Sequence, residues 1–265
     1  MTAEECETIQ LRMHGPAAEP ALVYLPGMHG DWTLVSRFRE ALGGRVRLVE
    51  ITYPRTTTWS LEEYAETMWN ALEGHGLSQV WLLGESFGSQ VAWAMLAASH
   101  GRSDRPIEGI ILAGGFVRHP MITGVELLRT WNRRVTLSRL SWLCSFYARY
   151  ARWRHGFSEE HWAGIQEFLR RRADEADRQA ILHRYDLIIE SDFRALARQS
   201  RVPVYYLAGG VDPIVPWVFV WPWLKRHCAG YRAGRVFWGA DHAILSGAAT
   251  RAADCVLGWM TDEGQ

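Results

Sequence analysis

The chain has 265 residues, 48% of them hydrophobic, which supplies a core for one large domain and argues against disorder. Acidic and basic residues number 29 each, so no net charge draws the chain to nucleic acid or an anionic membrane. Cys6, Cys144, Cys228 and Cys255 lie far apart, with no CxxC pair and no histidine at ligand spacing, which argues against a disulfide framework or a structural zinc.

The N-terminal stretch MTAEECETIQ is acidic and polar where a secretion signal would be basic and then apolar. The longest nearly unbroken apolar run, residues 215–224, is about half of a membrane-spanning helix. Both features imply a soluble, cytoplasmic protein. Short runs rich in Val, Ile, Leu or aromatic residues at 21–25, 46–51, 80–83, 107–113, 204–208 and 235–238 read as buried strands. Between them, Ser60 followed by Glu63 forms a capping box that opens a helix over 61–72, and residues 87–98 are apolar enough for a buried helix. Alternating strands and helices predict an α/β fold, a mainly parallel sheet covered on both faces.

The alternation stops between Phe116 and Tyr185, where helical patterns rich in Trp and Arg replace strands. No repeat or linker marks this segment as independent. The expected organisation is therefore a core domain of residues 1–115 and 186–265, with residues 116–185 as a helical lid. Within the lid, residues 129–154 carry seven arginines and no Asp or Glu, and Leu140, Leu143, Tyr147 and Tyr150 share one helical face suited to packing over a site. The arginine-rich face reads as a solvated surface, an interfacial contact for lipid-like substrates, or a site for a phosphate-bearing group.

Gly84-Glu85-Ser86-Phe87-Gly88 joins the strand at 80–83 to the helix at 87–98. A G-x-S-x-G pentapeptide arises by chance in about one chain in ten of this length. Its position carries more weight than its letters. A serine between a buried strand and a helix needs a tight turn, in which the residues two before and two after must be small, and Gly84 and Gly88 satisfy that demand. The turn places Ser86 at the carboxyl edge of the sheet and leaves the Phe87 N–H at a helix start, aimed at any oxyanion that forms.

A serine hydroxyl needs a base and an orienting acid. His242, in VFWGADHAIL after the last strand, is the best-placed base, and His29, His119, His183 and the other histidines are expected on the surface or in the lid. Asp212, in VYYLAGGVDPIVPW after the strand at 204–208, is the expected acid. Asp241 adjoins His242 too closely to face it and reads as structural, and the loop after 107–113 offers no carboxylate. The chain order Ser, Asp, His is that of the strand-turn-helix serine hydrolases.

Taken together, LPGMHG, GESFG, GGVDPIVP and GADH resemble the α/β-hydrolase superfamily over nearly the whole chain. Within it, LPGMHGDW, Tyr53-Pro54 and GESFGS look most like a branch containing esterases and acyl-transferring enzymes. The resemblance implies an eight-stranded core, a lid after the sixth strand, and neither a metal nor an organic cofactor. It also implies a second oxyanion donor after the strand at 21–25, where Gly27 and Gly30 let the chain turn back and the backbone N–H of Met28 is the candidate. His29 and Trp217 are candidate pocket residues, and Met28 and Phe87 at the mouth imply an apolar pocket for short to medium acyl or aromatic groups.

The function expected from this set is ester hydrolysis of a small-molecule substrate through an acyl-enzyme. An acyltransferase or thioesterase acting on a phosphate-bearing carrier is an alternative, and a non-catalytic binding protein of the same fold is another. The oligomeric state is not readable from these residues.

Overall fold

The computed structural model describes residues 8–17, 20–136, 166, 168 and 174–261. Alternating side chains within each strand divide the core into two layers, as the period of two in a pleated strand requires. In β2 (Ala21–Leu25), Ala21, Val23 and Leu25 point to one layer and Leu22 and Tyr24 to the other. The first layer receives α2 (Leu61–Gly74) and α3 (Gly88–Ser99), and the second receives α1 (Ser36–Leu42) and the C-terminal helix (Ala249–Thr261).

The remaining strands are β1 (Gln10–His14), β3 (Leu48–Thr52), β4 (Val80–Glu85), β5 (Ile107–Ala113), β6 (Val204–Gly209) and β7 (Tyr231–Phe237), in the sheet order β1-β3-β2-β4-β5-β6-β7. Among the described strands, only β1 runs antiparallel to its neighbour. The order reverses at β2, which lies between β3 and β4, and open α/β sheets bind ligands beyond the carboxyl ends of strands at such a point.

Among the described residues the sheet has seven strands, one fewer than the resemblance implied. The segment expected to be a lid leaves after β5, the fifth of them. Strand β7 starts four residues before the apolar run at 235–238, because Tyr231 to Arg235 is an edge segment of half-exposed residues without a buried signature. The capping box of α2 is formed: the Ser60 N–H donates to Glu63 Oε2 at 2.7 Å, and the Glu63 N–H donates to Ser60 Oγ at 3.2 Å.

After β5 come α4 (Ile122–Arg134) and then α5 (Glu175–Glu190), which pack against one another. Helix α5 begins with its own capping box between Asp174 and Asp177 and continues past Tyr185. The short helix α6 (Arg194–Gln199) leads into β6, and α7 (Trp217–His227) links β6 to β7. The proposed lid face at Leu140, Leu143, Tyr147 and Tyr150, and most of its arginines, lie outside the described residues. No helix among the described residues is long and apolar enough to cross a membrane.

Candidate active site

Ser86 closes β4 with φ +51°, and among the described residues it is the one non-glycine in the left-handed region. That conformation costs an L-residue about 1–2 kcal/mol, and here neighbouring backbone enforces it. The Ser86 N–H donates to the Ala113 carbonyl at 3.0 Å, and the Ser86 carbonyl accepts from the Ser89 N–H at 3.0 Å and from Ser89 Oγ at 2.6 Å. A Cβ on Gly88 would lie 2.0 Å from the Leu25 carbonyl oxygen, and one on Gly84 would lie 2.8 Å from the backbone of Gly88 and Ser89. Glycine at both positions is thus a steric requirement of the turn.

The loop after β2 approaches the same serine because Leu25 and Gly84 are register partners in adjacent strands. A Cβ on Gly27 would sit 3.4 Å from Ser86 Cβ. Among the described residues, neither the Met28 N–H nor the Phe87 N–H donates to a protein acceptor. Both are therefore unused backbone donors among the described residues, one directly after Ser86 and one in the loop after β2. The Phe87 ring is not at the mouth of a pocket: it is fully buried, edge-on to Tyr53 and Tyr64, because the residue capping α3 turns its side chain beneath the sheet. Met28 is half-buried.

Asp212 and His242 come from the loops after β6 and β7, as their sequence positions predict. His242 Nδ1 lies 2.7 Å from Asp212 Oδ2, and the Asp212 side chain is 1% exposed. The second carboxylate oxygen accepts from the Ile214 N–H at 2.8 Å and the Val215 N–H at 3.0 Å. With Asp212 as carboxylate, the Nδ1 proton points to it and the Nε2 lone pair is turned outward. Gly114, at φ +55°, lies against the base: a Cβ there would lie 3.2 Å from the His242 ring, and the preceding residue, Ala113, accepts from the Ser86 N–H, while no hydrogen bond joins Ser86 Oγ to His242 among the described residues. Asp241 caps its own loop, accepting from the Ala243 N–H at 3.0 Å.

Glu85, beside the serine, accepts a 2.5 Å hydrogen bond from the Tyr24 hydroxyl. Burial raises the Glu85 carboxyl above the ordinary carboxylate range, against the opposing pull of Tyr24 and His242. His119, expected on the surface or in the lid, lies in the segment 116–185 and is buried, 6% exposed. Its Nδ1 accepts from the Met121 N–H at 3.1 Å, and burial followed by the proximity of His242 brings its pKa down to about 4.

His119 also lines a cleft of about 420 Å³ together with Ile122, Phe219, Val220 and Trp223. Neither His29 nor Trp217 is among the residues lining this cleft. His29 is exposed and meets Phe168 edge-on at 4.9 Å. Trp217 is turned toward the sheet, donating through Nε1 to the Gly210 carbonyl at 3.3 Å and packing on Trp221 and Trp238. The helical period explains the division, since positions 219, 220 and 223 share one side of α7 and positions 217 and 221 another. Arg184, which sequence reasoning did not single out, is buried beneath the Met28 loop.

The model of the alpha/beta hydrolase fold family matches residues 45–248. No curated protein sequence is significantly similar to the chain. Among solved structures, an esterase from Exiguobacterium antarcticum is similar at TM-score 0.74 and 16% identity, covering 96% of each chain. A hydrolase from Pseudomonas aeruginosa PA01 has TM-score 0.75 at 14% identity, covering 96% of this chain and 94% of its own. A bromoperoxidase from Bacillus anthracis has TM-score 0.74 at 16% identity, covering 96% and 95%. The match over most of the chain, together with the sheet order and the strand-to-helix turn at Ser86, establishes that this chain belongs to the alpha/beta hydrolase fold family.

Proposed function

We propose that the chain is a serine carboxylesterase working through an acyl-enzyme on Ser86. The observations that carry this reading are the strained serine, the one described non-glycine held at positive φ, and a hydrogen-bonded His242–Asp212 pair; Ser86 bonds to Ala113 and His242 lies against the next residue, Gly114. Strain of this kind persists where the surrounding backbone enforces it and collects at reacting groups.

In the reaction, His242 Nε2 takes the Ser86 proton as Oγ attacks the ester carbonyl carbon. The carbonyl oxygen becomes an oxyanion, and the N–H groups of Met28 and Phe87 stabilise it. His242 then delivers the proton to the departing alcohol. Water attacks the acyl-enzyme with His242 again acting as base, the acid leaves, and Ser86 regains its proton. Asp212 holds the imidazole in the required tautomer throughout. Residues 116–185 are the proposed lid of this site, and the proposed substrates are esters of short to medium acyl or aromatic groups.

A fluorophosphonate probe tests the nucleophile. Intact mass should rise by one adduct, peptide mapping should place it on Ser86, and prior incubation with a substrate ester should slow the labelling. An unlabelled native protein, or an adduct elsewhere, would overturn the assignment.

A further inference from the structure

We infer that Arg184 is a positioning residue for the oxyanion loop, a buried guanidinium that holds Met28 in place from helix α5; this rests on the acyl-enzyme reading above. Its side chain is 1% exposed. Nη1 donates to the Met28 carbonyl at 2.8 Å, Nη2 to the Pro54 carbonyl at 3.0 Å, and Nε to the Tyr64 hydroxyl at 3.4 Å. The Tyr53 ring centroid lies 5.5 Å from Cζ. Among the described residues, no carboxylate is a hydrogen-bond partner of Arg184.

Burying a guanidinium is costly, and an apolar side chain of similar volume would fill the space at less expense. What the guanidinium supplies is geometry. Its planar fork bonds two carbonyls at fixed angles, which neither lysine nor methionine reproduces. The loop is shaped around it: Gly30 has φ +66°, and a Cβ there would fall 2.8 Å from Nη1 and 2.9 Å from Nη2.

Helix α5 is fastened to the neighbouring loop as well. Arg55 pairs with Asp177 at 2.9 Å and 3.2 Å, and His183 Nε2 lies 2.8 Å from the Trp59 carbonyl. The helix that returns from the lid segment therefore spans the loops after β2 and β3, and Arg184 is its contact with Met28, the proposed second oxyanion donor. Oxyanion donors act only within about 2.7–3.1 Å of the developing charge, and a displacement of about 1 Å reduces turnover by about 100-fold.

The test compares Arg184→Lys and Arg184→Met with the native chain. Measured quantities are kcat and KM for a p-nitrophenyl ester, inhibition by a trifluoromethyl ketone that forms an oxyanion on Ser86, inhibition by a non-electrophilic amide of the same shape, and the urea midpoint. Expected is a folded Arg184→Lys protein with kcat lower by about 100-fold, KM unchanged, trifluoromethyl ketone affinity reduced in parallel and amide affinity retained. If Arg184→Met does not fold, Arg184→Lys alone decides. Variants with a lowered urea midpoint but native kcat and ketone affinity per folded molecule would overturn the inference, because the role would then be stability alone. A native protein with no Ser86-dependent turnover would instead overturn the acyl-enzyme reading, and this inference with it.

Discussion

His242 Nδ1 lies 2.7 Å from Asp212 Oδ2, while the other oxygen of Asp212 is held by the N–H groups of Ile214 and Val215. Three donors thus fix a carboxylate that is almost wholly buried, and the carboxylate in turn fixes the imidazole tautomer. Asp212→Asn retains the shape and offers an N–H where an acceptor is needed. The expected result is a loss of kcat of about 10⁴-fold with the fold intact, by analogy with the same change in other Ser-His-Asp sites. Burst and steady-state kinetics would check it.

Gly88→Ala tests the turn itself. The added Cβ would meet the Leu25 carbonyl oxygen at 2.0 Å, and both partners are backbone with little freedom to yield. The variant should be destabilised by about 3 kcal/mol or more, measured as a fall in the urea midpoint. A native midpoint would mean that β2 and α3 approach less closely than described.

Tyr24→Phe removes the donor to Glu85 and leaves a half-buried carboxylate short of a partner. Glu85 already has a raised folded pKa, so its contribution to stability is present below the unfolded carboxylate pKa and declines as pH rises through the folded value. Losing Tyr24 should raise that pKa further. The expected loss is about 1–3 kcal/mol, larger at pH 8 than at pH 5, read from urea titrations at both.

His119 gives an acid-side signature. Its folded pKa of about 4 lies below the ordinary 6.5, so between those values the unfolded chain binds the extra proton. Stability should fall by about 3 kcal/mol as pH drops through this window and level off below it. His119→Gln keeps an acceptor for the Met121 N–H and removes the titration. Its stability should show a shallower slope from pH 6.5 to 4, and an unchanged slope would contradict the assignment.

The sequence carried the parts of the site whose causes are local. Gly84 and Gly88 are readable because a strand-to-helix turn forbids side chains there whatever else the chain does. Asp212 and His242 are readable because each follows an apolar run that had to be a core strand. Strand β1 and the start of β7 were faint for the opposite reason: as edge segments they bury little, so their pattern lacks apolar alternation. Nor could composition show that the Phe87 ring turns inward, since an aromatic residue beside a nucleophile fits a pocket or a core equally well.

Arg184 and His119 were not legible at all. The partners of Arg184 are carbonyls 130 and 156 residues away along the chain, and a backbone carbonyl has no sequence signature. His119 lies between β5 and α4 in the segment read as a lid, and nothing local in the sequence shows that it is buried edge-on against Phe116.

The most direct test of the central claim is the hydrolysis of p-nitrophenyl esters of increasing acyl length by the native chain and by Ser86→Ala. The native protein should turn over these esters with an optimum at short or medium acyl chains, and a folded Ser86→Ala variant should not. Equal turnover by both proteins, or no ester turnover by the native chain at any length, would contradict it.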